Sequence, residues 1–337
     1  MRLRRSITAL EEPLALAIGN FDGVHLGHQA ILAQTKNAAA RLGLTPAALT
    51  FSPLPREYFA RVHRNGGAAV PPTPRLMSVT EKLVALKRAG MVEVMMPRFD
   101  AAFAAQSPAA FLDLLNQANV RWLLAGHDFH FGAKRAGDTD MLRAWGARQG
   151  ITIETMDDIA NADGSRISSS AIRAALSAGN LDAAATMLGR QYSIVGRVTH
   201  GKKLGRTLNF PTANVSLTGR NPALGGVFAV QCRLVTRGLE GVAGQVSESG
   251  VIINGVANLG TNPVVSSENR QHLEVFLFDY ANDLYGQRLQ VTFIEKIRDE
   301  QKFASLDALV TQMHDDSAQA KEILSRIKND GRATEFT

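Results

Sequence analysis

The 337-residue sequence has little of several features that would indicate other classes of protein. A single cysteine, Cys232, excludes a disulfide framework and any metal site built from clustered cysteines. Aromatic residues make up only 6% of the chain, and no stripe of lysine and arginine is interleaved with them, so the sequence does not indicate a nucleic-acid-binding surface. The longest apolar run near the start, Leu14–Ile18, is too short for a signal-peptide core or a membrane span. We therefore expect a cytoplasmic protein with neither nucleic acid nor a membrane as its partner.

The remaining composition is typical of a packed protein with two domains. Hydrophobic residues make up 45% and charged residues 20% of the chain, which is enough apolar material for a sizeable core. The length suggests two domains of about 100–200 residues each. The net charge of +6 suits phosphorylated small molecules, but it is also common in proteins that bind no anion. The sequence leaves the oligomeric state open.

The first half alternates apolar runs of strand length with amphipathic stretches of helical length. The runs cover residues 14–18, 47–51, 92–95, 122–125 and 151–156, and the stretches cover 27–42, 77–89, 108–118 and 138–149. This alternation predicts βαβ units and a parallel, Rossmann-like sheet. Ligands of such sheets bind at the carboxyl ends of strands, so we expect the loops after these runs to carry the chemistry.

The second half changes character near residue 189. Runs typical of strands cover residues 192–199, 227–235, 251–259, 272–279 and 289–297, with glycine, asparagine and proline between them. The spacing predicts a small antiparallel β-barrel or sandwich, closed by a helix over residues 306–327. We therefore predict a first domain over residues 1–188, a second over 189–328 and a solvated tail over 329–337.

Residues 19–28, with the sequence GNFDGVHLGH, follow the first apolar run and open the first predicted helix. The glycines allow a tight turn and a close approach to a ligand, and the helix N-terminus offers N–H groups to a phosphate. His25 and His28 are three positions apart, so both can point at one anion and at the charge that develops on phosphorus. Taken alone, the segment fits a glycine-rich turn with two surface histidines equally well.

A second segment, ISSSAIR at residues 167–173, lies at a junction between a loop and a helix. Its serine hydroxyls can cap backbone N–H groups or bind phosphate, and Arg173 can clamp a triphosphate. By itself the segment also fits a serine cap followed by a surface arginine.

Together these two segments resemble the nucleotidyltransferase superfamily, in which such elements hold ATP for attack on its α-phosphate. With GHDFHFG at residues 126–132, the first half resembles the FAD synthetase module of bacterial bifunctional riboflavin kinase/FAD synthetases. The resemblance implies catalytic roles for His25 and His28. It implies that the following residues hold the ATP phosphates: Gly19, Phe21, Asp22, Gly23, Gly27, Ser168, Ser169 and Arg173.

The same resemblance implies a flavin or adenine pocket formed by Asp128, Phe129 and Phe131. The two aromatic rings would also suit core packing beside a turn. One departure from the family lies at Leu54, where the family usually has the histidine of a Pro-His-Pro sequence. This departure bears on any polar role of that position in adenylylation.

A third segment, GKKLGRTLNFPTAN at residues 201–214, combines a cationic stretch with a polar pair. Its glycines and lysines make a flexible flap suited to phosphates, with Gly201, Lys203 and Gly205 as candidate contacts. Thr212 and Asn214 face the same side of an extended segment, where a hydroxyl and an amide oxygen can hold Mg²⁺. Such a pair is also common on the solvated face of a strand.

The sequence FPTAN at residues 210–214, with residues 225–229 and 255–260, resembles the riboflavin kinases over about residues 190–315. Asn209 stands where the family normally has glycine, and Val264 stands where it often has threonine. Since asparagine tolerates left-handed backbone better than most residues, we expect the turn at Asn209 to be kept.

Glu274 is a carboxylate within an otherwise apolar strand. Burial would raise its pKa toward that of a general base, although the alternation also fits one charged residue on a solvent-exposed face. The resemblance places the family's catalytic base here, before the DLYG sequence at residues 283–286. It also implies that Arg298 approaches the flavin, whereas without the resemblance Arg298 would be interpreted as a surface helix cap.

The resemblance therefore implies a two-step synthesis of flavin cofactors. The second domain would phosphorylate riboflavin with ATP to give FMN and ADP, and the first would adenylylate FMN with ATP to give FAD and pyrophosphate. Mg²⁺ is expected at both steps. Two alternatives stay open for the whole chain: a riboflavin kinase with a degenerate adenylyltransferase domain, and a flavin-binding regulator or basic RNA binder without turnover. The first domain could also transfer a nucleotide to an acceptor other than FMN.

Overall fold

A computed structural model describes residues 1–63, 74–161, 163–200, 210–217, 220–235, 251–261 and 271–329. The chain divides into two compact units. The first contains Met1–Thr73 and Val79–Ser168, and the second contains Pro74–Ser78 and Ser169–Thr337. The sequence-based boundary at residue 188 stays a prediction. Within the described part of the chain, no helix is both long and apolar enough to cross a membrane.

The first unit is built on a six-stranded sheet. Its strands are β1 (Arg2–Arg4), β2 (Leu14–Ile18), β3 (Thr45–Leu49), β4 (Glu93–Met95), β5 (Val120–Gly126) and β6 (Thr152–Met156). Their order is β1-β4-β3-β2-β5-β6, and every pairing is parallel. All five residues of the central strand β2 are buried, since helices cover both faces of such a sheet, and this burial explains its continuous apolar sequence. The predicted parallel sheet is confirmed.

The helices of this unit begin and end at residues with recognisable capping roles. They are α1 (Leu26–Leu42), α2 (Pro55–His63), α3 (Val79–Arg88), α4 (Ala101–Ala104), α5 (Pro108–Gln117) and α6 (Thr139–Gln149). The Asp138 side chain accepts a hydrogen bond from the Met141 N–H at the start of α6, and Gly150 ends that helix in the left-handed conformation. The four helices predicted from the sequence are present, whereas α2 and α4 were not predicted.

The path of the chain through the sheet places the two glycine-containing segments at the carboxyl ends of neighbouring strands. From β2 the chain proceeds to β3 and β4 on one side and then returns to β5 on the other side of β2. The carboxyl ends of β2 and β5 therefore flank a topological switch point, where open α/β sheets bind ligands. Residues 19–28 follow β2, and residues 127–132 follow β5.

In its described residues, the second unit is a closed six-stranded barrel with three helices. The helices are α7 (Ser169–Ser177), α8 (Leu181–Leu188) and α9 (Leu306–Asn329), and the strands are β7 (Ser193–Thr199), β8 (Thr212–Val215), β9 (Gly226–Val235), β10 (Ile253–Thr261), β11 (Gln271–Leu277) and β12 (Arg288–Arg298). The order around the barrel is β10-β11-β8-β7-β12-β9, with antiparallel pairings throughout. The predicted antiparallel barrel is confirmed.

Helix α9 packs on the outside of the barrel. Its Ala320, Ile323 and Leu324 form a buried cluster with Ala229 and Phe278. The helix extends to Asn329, the first residue that the sequence analysis had placed in the tail. Residues 330–337 lie outside the described residues.

Candidate active sites

The two predicted histidines lie together at the start of α1. His25 precedes the helix in extended backbone, and His28 lies in its first turn. Their imidazole rings stack with centroids 3.7 Å apart and an angle of 24° between their planes. The Phe21 ring contacts His28 edge-on at 5.2 Å. His25 is buried and His28 half-buried, so these are not the two surface histidines of the alternative interpretation.

The glycines of this segment make room for its own aromatic rings. A Cβ atom on Gly19 would lie 3.1 Å from the Phe21 ring, and one on Gly27 would lie 3.2 Å from the His25 ring. Phe21 itself is completely buried, so its side chain serves packing. Phe21 and Val24 adopt left-handed backbone, with φ of 47° and 40°. Such strain in non-glycine residues is concentrated at functional loops.

Three charged side chains make hydrogen bonds within or to this segment. Asp22 is 2% exposed, and it accepts a hydrogen bond of 2.5 Å from the Arg56 guanidinium. Lys82 is 4% exposed, and its ammonium donates to the Asn20 carbonyl oxygen at 2.8 Å. Sequence reasoning missed Arg56 and Lys82. A lysine on the apolar face of the predicted helix was the signal that could have identified Lys82.

The surroundings of His28 favour its neutral form. Burial lowers its pKa most, and the neighbouring His25 ring and the Lys82 charge lower the pKa further. A neutral imidazole can donate one hydrogen bond to a phosphate oxygen and accept a proton as negative charge approaches.

Asp128, in the loop after β5, belongs to a network of charged side chains. Asp128 accepts a 2.9 Å hydrogen bond from Arg166, whose Nε also donates to Asp158 at 2.7 Å. The Arg166 hydrogen bond lowers the pKa of Asp128, so the carboxylate is ionised at neutral pH. The carbonyl oxygen of Ile167, one residue after Arg166, lies 4.0 Å from a Cβ placed on Gly27. The serine-rich segment therefore begins beside the first turn of α1.

The two predicted flavin-pocket aromatics differ in exposure. The Phe129 and Phe131 rings stack at 5.7 Å with an angle of 19°. Phe131 is 6% exposed and contacts Phe111 in the core, whereas Phe129 is only partly buried. A chain of ring contacts continues from Phe111 toward the surface through Phe103, Phe51, Phe99, Tyr58 and Phe59. Sequence reasoning missed this chain because its members are scattered along the sequence.

Leu54 serves packing and helix capping. Its side chain is 2% exposed, and its N–H donates to the Glu57 carboxylate at 2.9 Å. The residue therefore lies just before α2, where a Glu three positions on satisfies the free N–H group. Because leucine has no polar side-chain atom, this position cannot supply the polar contact that a histidine could make there.

The serine-rich segment continues into the second unit. Ser168 is the last residue of the first unit, while Ser169 begins α7. On α7, the Arg173 guanidinium donates to the Ser170 hydroxyl at 3.1 Å. Phosphate binding by Ser168, Ser169 and Arg173 stays a prediction.

The candidate kinase residues form one row across the barrel. Asn214 on β8 lies directly opposite Glu274 on β11. Glu274 in turn lies opposite Asn258 on β10, and Thr199 on β7 lies opposite Asn214. Residues that are paired in this way project from the same face of a sheet. The register thus brings together Asn214 and Glu274 and adds Asn258, which sequence reasoning had not included as a site residue.

Glu274 is exposed, so the interpretation as a buried carboxylate is wrong, and the alternative of one charged residue on a solvent-exposed face is the arrangement observed. Its neighbours Leu273 and Val275 point into the barrel core, with 1% and 0% exposure. Because side chains alternate along a strand, Glu274 points outward. The row therefore lies on the outer face, where substrates can reach it directly.

The outer face offers oxygen donors of three kinds. Thr212 lies two residues before Asn214 on β8, so a hydroxyl, an amide oxygen and the Glu274 carboxylate share one face. Hard cations such as Mg²⁺ prefer oxygen donors, so this set fits that ion. Among the described residues, no group of three or more His, Cys, Asp or Glu side chains could hold a metal.

Arg298 is engaged by helix α9. Its Nε and Nη2 donate to the two carboxylate oxygens of Asp316 at 2.8 and 2.7 Å. A further bond of 2.9 Å runs from Nη1 to the Asp299 carbonyl oxygen. The alternative interpretation as a surface helix cap is wrong, because the side chain is 16% exposed and bridges β12 to α9.

Phe210 and Phe276 extend the contact between α9 and this face. The Phe210 ring lies 5.0 Å from that of Phe276 and 4.8 Å from that of His314 on α9. Phe210 lies two residues before Thr212, the first residue of β8, and Phe276 lies two residues after Glu274. The position of α9 is thus coupled to the strands of the row. The predicted phosphate contacts Gly201, Lys203 and Gly205, with Asn209 and Val264, lie outside the described residues.

Models of known protein families match both halves of the chain. A family model described as FAD synthetase matches residues 7–171, and one described as riboflavin kinase matches residues 188–324. A crystal structure described as a macrolide-efflux protein from Streptococcus pneumoniae has a TM-score of 0.75 and 25% identity, and the match covers 95% of this chain and 98% of that one.

Curated relatives match over nearly the full length. The bifunctional riboflavin kinase/FMN adenylyltransferase of Haemophilus influenzae is 43% identical over 91% of this chain and 93% of its own length. The protein of the same description from Escherichia coli K12 is 40% identical over 97% of this chain and 99% of its own length. The chain therefore belongs to the family of bifunctional riboflavin kinase/FMN adenylyltransferases.

Proposed function

We propose that this chain makes FMN from riboflavin on its barrel and FAD from FMN on its parallel-sheet unit, with ATP as co-substrate of both steps. The observation that carries the proposal is that one chain of this family holds two assembled sites. In one, His25 and His28 stack at the switch point of the sheet. In the other, Asn214 and Glu274 are paired across strands.

In the kinase step, Glu274 accepts the proton of the ribityl 5′-hydroxyl as that oxygen attacks the γ-phosphate of ATP. A bond from the hydroxyl oxygen to phosphorus forms, and the bond from phosphorus to the leaving oxygen of ADP breaks. The exposed position of Glu274 on the outer face leaves room for the substrate beside it.

Thr212 and Asn214 would hold Mg²⁺ next to this base. When bound, the ion offsets the negative charge of the ATP phosphates. The pairing of Asn214 with Glu274 would bring phosphate, metal and base to one place on the barrel surface. The hydroxyl of Thr199, which donates to the Asn214 carbonyl oxygen at 3.4 Å, helps to fix that strand.

In the adenylylation step, a phosphate oxygen of FMN attacks the α-phosphate of a second ATP, and pyrophosphate leaves. The half-buried imidazole of His28, with His25, donates hydrogen bonds to the phosphate oxygens that gain charge. No covalent enzyme intermediate is needed, because the phosphate of FMN is itself an adequate nucleophile.

The roles assigned to Phe129 and Arg298 follow from their exposure and partners. Partly buried Phe129 and ionised Asp128 would contact the flavin or adenine of the second step, while buried Phe131 supports Phe129 by stacking. Since Arg298 is bound to Asp316, we propose that it acts on flavin binding by holding α9 in place.

Neither alternative is favoured by a specific observation. A degenerate adenylyltransferase would not need the stacked histidines over a buried support of Asp22 and Lys82. A flavin-binding regulator would not need a carboxylate opposite a candidate metal ligand. Leu54, the departure that raised the first alternative, serves packing.

A time course with riboflavin, ATP and Mg²⁺ tests the proposal. We expect FMN to appear first and FAD later when the flavins are separated by chromatography. FMN without FAD would contradict the second activity, and tight riboflavin binding with no product would contradict both.

A further inference from the structure

Lys82 is a buried cation next to the stacked histidines that no part of the reaction described above uses. It lies on α3 beside Leu83 and one turn before Leu86, both of which are buried. Its own exposure is 4%. An ammonium group loses its hydration at such a position, so it is tolerated only where hydrogen bonds replace that water.

The hydrogen bonds of Lys82 join two strand ends of the sheet. Its Nζ donates to the carbonyl oxygen of Asn20, two residues after β2, at 2.8 Å. It also donates to the hydroxyl of Thr50, the first residue after β3, at 3.1 Å. The Thr50 hydroxyl donates to the same Asn20 carbonyl at 3.1 Å. These three groups form a closed triangle that fixes the backbone at the start of the histidine segment.

The same ammonium acts electrostatically on the histidine pair. Its charge is one of the three causes that lower the pKa of His28, after burial and the His25 ring. A fixed cation in this place costs no reorganisation when the phosphate chain of ATP arrives, and such preorganised charge is the usual source of transition-state stabilisation.

We propose that Lys82 is a positioning residue for adenylyl transfer, which fixes the Asn20 backbone and supplies a permanent positive charge beside His28. This role rests on the FMN adenylylation proposed above. The charge would attract the triphosphate and leave His28 neutral in the free enzyme, ready to take up a proton as phosphate charge develops.

Removal of the cation by Lys82→Met tests this role against a control on the same helix, Lys87→Met. Lys87 is exposed in the last turn of α3, so the same chemical change there leaves the site intact. We expect Lys82→Met to lower kcat/KM for ATP in FAD formation by about 100-fold. FMN formation by the same protein and both activities of Lys87→Met should stay unchanged.

A second measurement separates positioning from a merely structural role. In an NMR titration of the imidazole groups, Lys82→Met should raise the pKa of His28, because loss of a nearby positive charge stabilises the imidazolium. Among the described residues, the other charged or titratable group that lowers the pKa of His28 is His25, which neither variant changes. If FAD formation falls while this pKa is unmoved in folded protein, the electrostatic role is wrong.

A further pair of variants covers the remaining outcomes. If Lys82→Met does not fold, Lys82→Gln retains a donor for Asn20 without the charge and should still lower kcat/KM for ATP in FAD formation, because the charge is lost. The effect of His28→Ala distinguishes a failure of the role proposed for Lys82 from a failure of the proposed adenylylation site. Loss of FAD formation in His28→Ala but not in either Lys82 variant overturns only the role of Lys82, whereas full activity of His28→Ala overturns the adenylylation site itself.

Discussion

The two sites of this chain are built on opposite principles. In the first unit, the candidate groups follow strand ends, with the histidines within residues 19–28 after β2 and Asp128 and Phe129 after β5, and His25 is buried beside His28. In the second unit, they stand on the strands themselves, and Glu274 is exposed on the outside of the barrel. The first site is therefore preassembled in a packed loop, and the second is an open surface.

This difference explains why the sites were not equally visible in the sequence. A parallel sheet places its site after the strand ends, so ten consecutive residues contained most of the first site. A barrel places its site across neighbouring strands, so Thr199, Asn214 and Glu274 come from distant positions. Their proximity depends on register, which sequence spacing does not reveal.

Removal of the base should separate the two sites most strongly. We expect Glu274→Gln to lower kcat for FMN formation by about 10²–10⁴-fold, because the 5′-hydroxyl loses its proton acceptor. FAD formation from supplied FMN should continue at the normal rate. Glu295→Gln, which changes an exposed carboxylate on β12, is the matched control. Normal kinase turnover in Glu274→Gln would contradict the assignment of the base.

The reciprocal change is His28→Ala. We expect FAD formation to fall by about 10²–10³-fold, since a donor to the developing phosphate charge is lost. FMN formation should be unaffected, as measured by chromatography of the flavins from riboflavin and ATP. If both activities were lost in a folded protein, the independence of the two sites would be wrong.

The sequence predicted five of the six strands of the first unit but not the edge strand β1. Apolar runs identified the inner strands, because buried parallel strands are continuously apolar. Strand β1 has no such run. It is held to β4 by pairing and by ion pairs from Arg2 and Arg4 to Glu93, a carboxylate only 1% exposed. Ion pairs between residues about 90 positions apart leave no local signal.

In the second unit, the sequence predicted five strands, β7 and β9–β12, and missed the contacts that depend on tertiary packing. Strand β8 is only four residues long, and its Thr212 and Asn214 were identified by motif and not as a strand. Asn258 could not be recognised as a site residue until β10 was paired with β11. The partner of Arg298 could not be predicted, because Asp316 lies on a helix whose face toward the barrel is set by packing.

Loss of the Arg298–Asp316 pair should weaken the open site through its supporting helix. The pair is largely buried, and removal of one partner leaves the other charge uncompensated, so we expect Asp316→Asn to destabilise the second unit by about 3 kcal/mol. The KM for riboflavin should rise more than kcat falls, because Glu274 is untouched. The free energy of unfolding of the second unit would be measured from the loss of FMN formation over a series of urea concentrations.

The control for this change lies on the same helix. Glu322 and Arg326 form an exposed ion pair one turn apart, and such pairs contribute little to stability. Glu322→Gln should therefore leave the urea midpoint and the KM for riboflavin unchanged. Equal effects of Asp316→Asn and Glu322→Gln would show that α9 does not depend on the buried pair.

The smallest expected effect is a pH dependence confined to the packed site. The pKa of His28 is lowered well below 6.5 in the folded protein, so below about pH 6.5 the unfolded chain binds a proton that the folded chain does not. Stability of the first unit should therefore decrease as the pH falls from 7 to 5. Both tryptophans, Trp122 and Trp145, lie in this unit, so their fluorescence in urea reports on it.

A variant without the imidazole tests whether His28 causes this dependence. His28→Gln should flatten the change in urea midpoint between pH 7 and pH 5, while at pH 8 ionisation contributes nothing to its difference from the wild type. The urea midpoint of the kinase activity should have the same pH dependence in both proteins, because the barrel does not contain His28. An unchanged slope in His28→Gln would mean that the imidazole binds a proton as readily in the folded protein as in the unfolded chain, and the contrast between a packed site and an open one would then be lost.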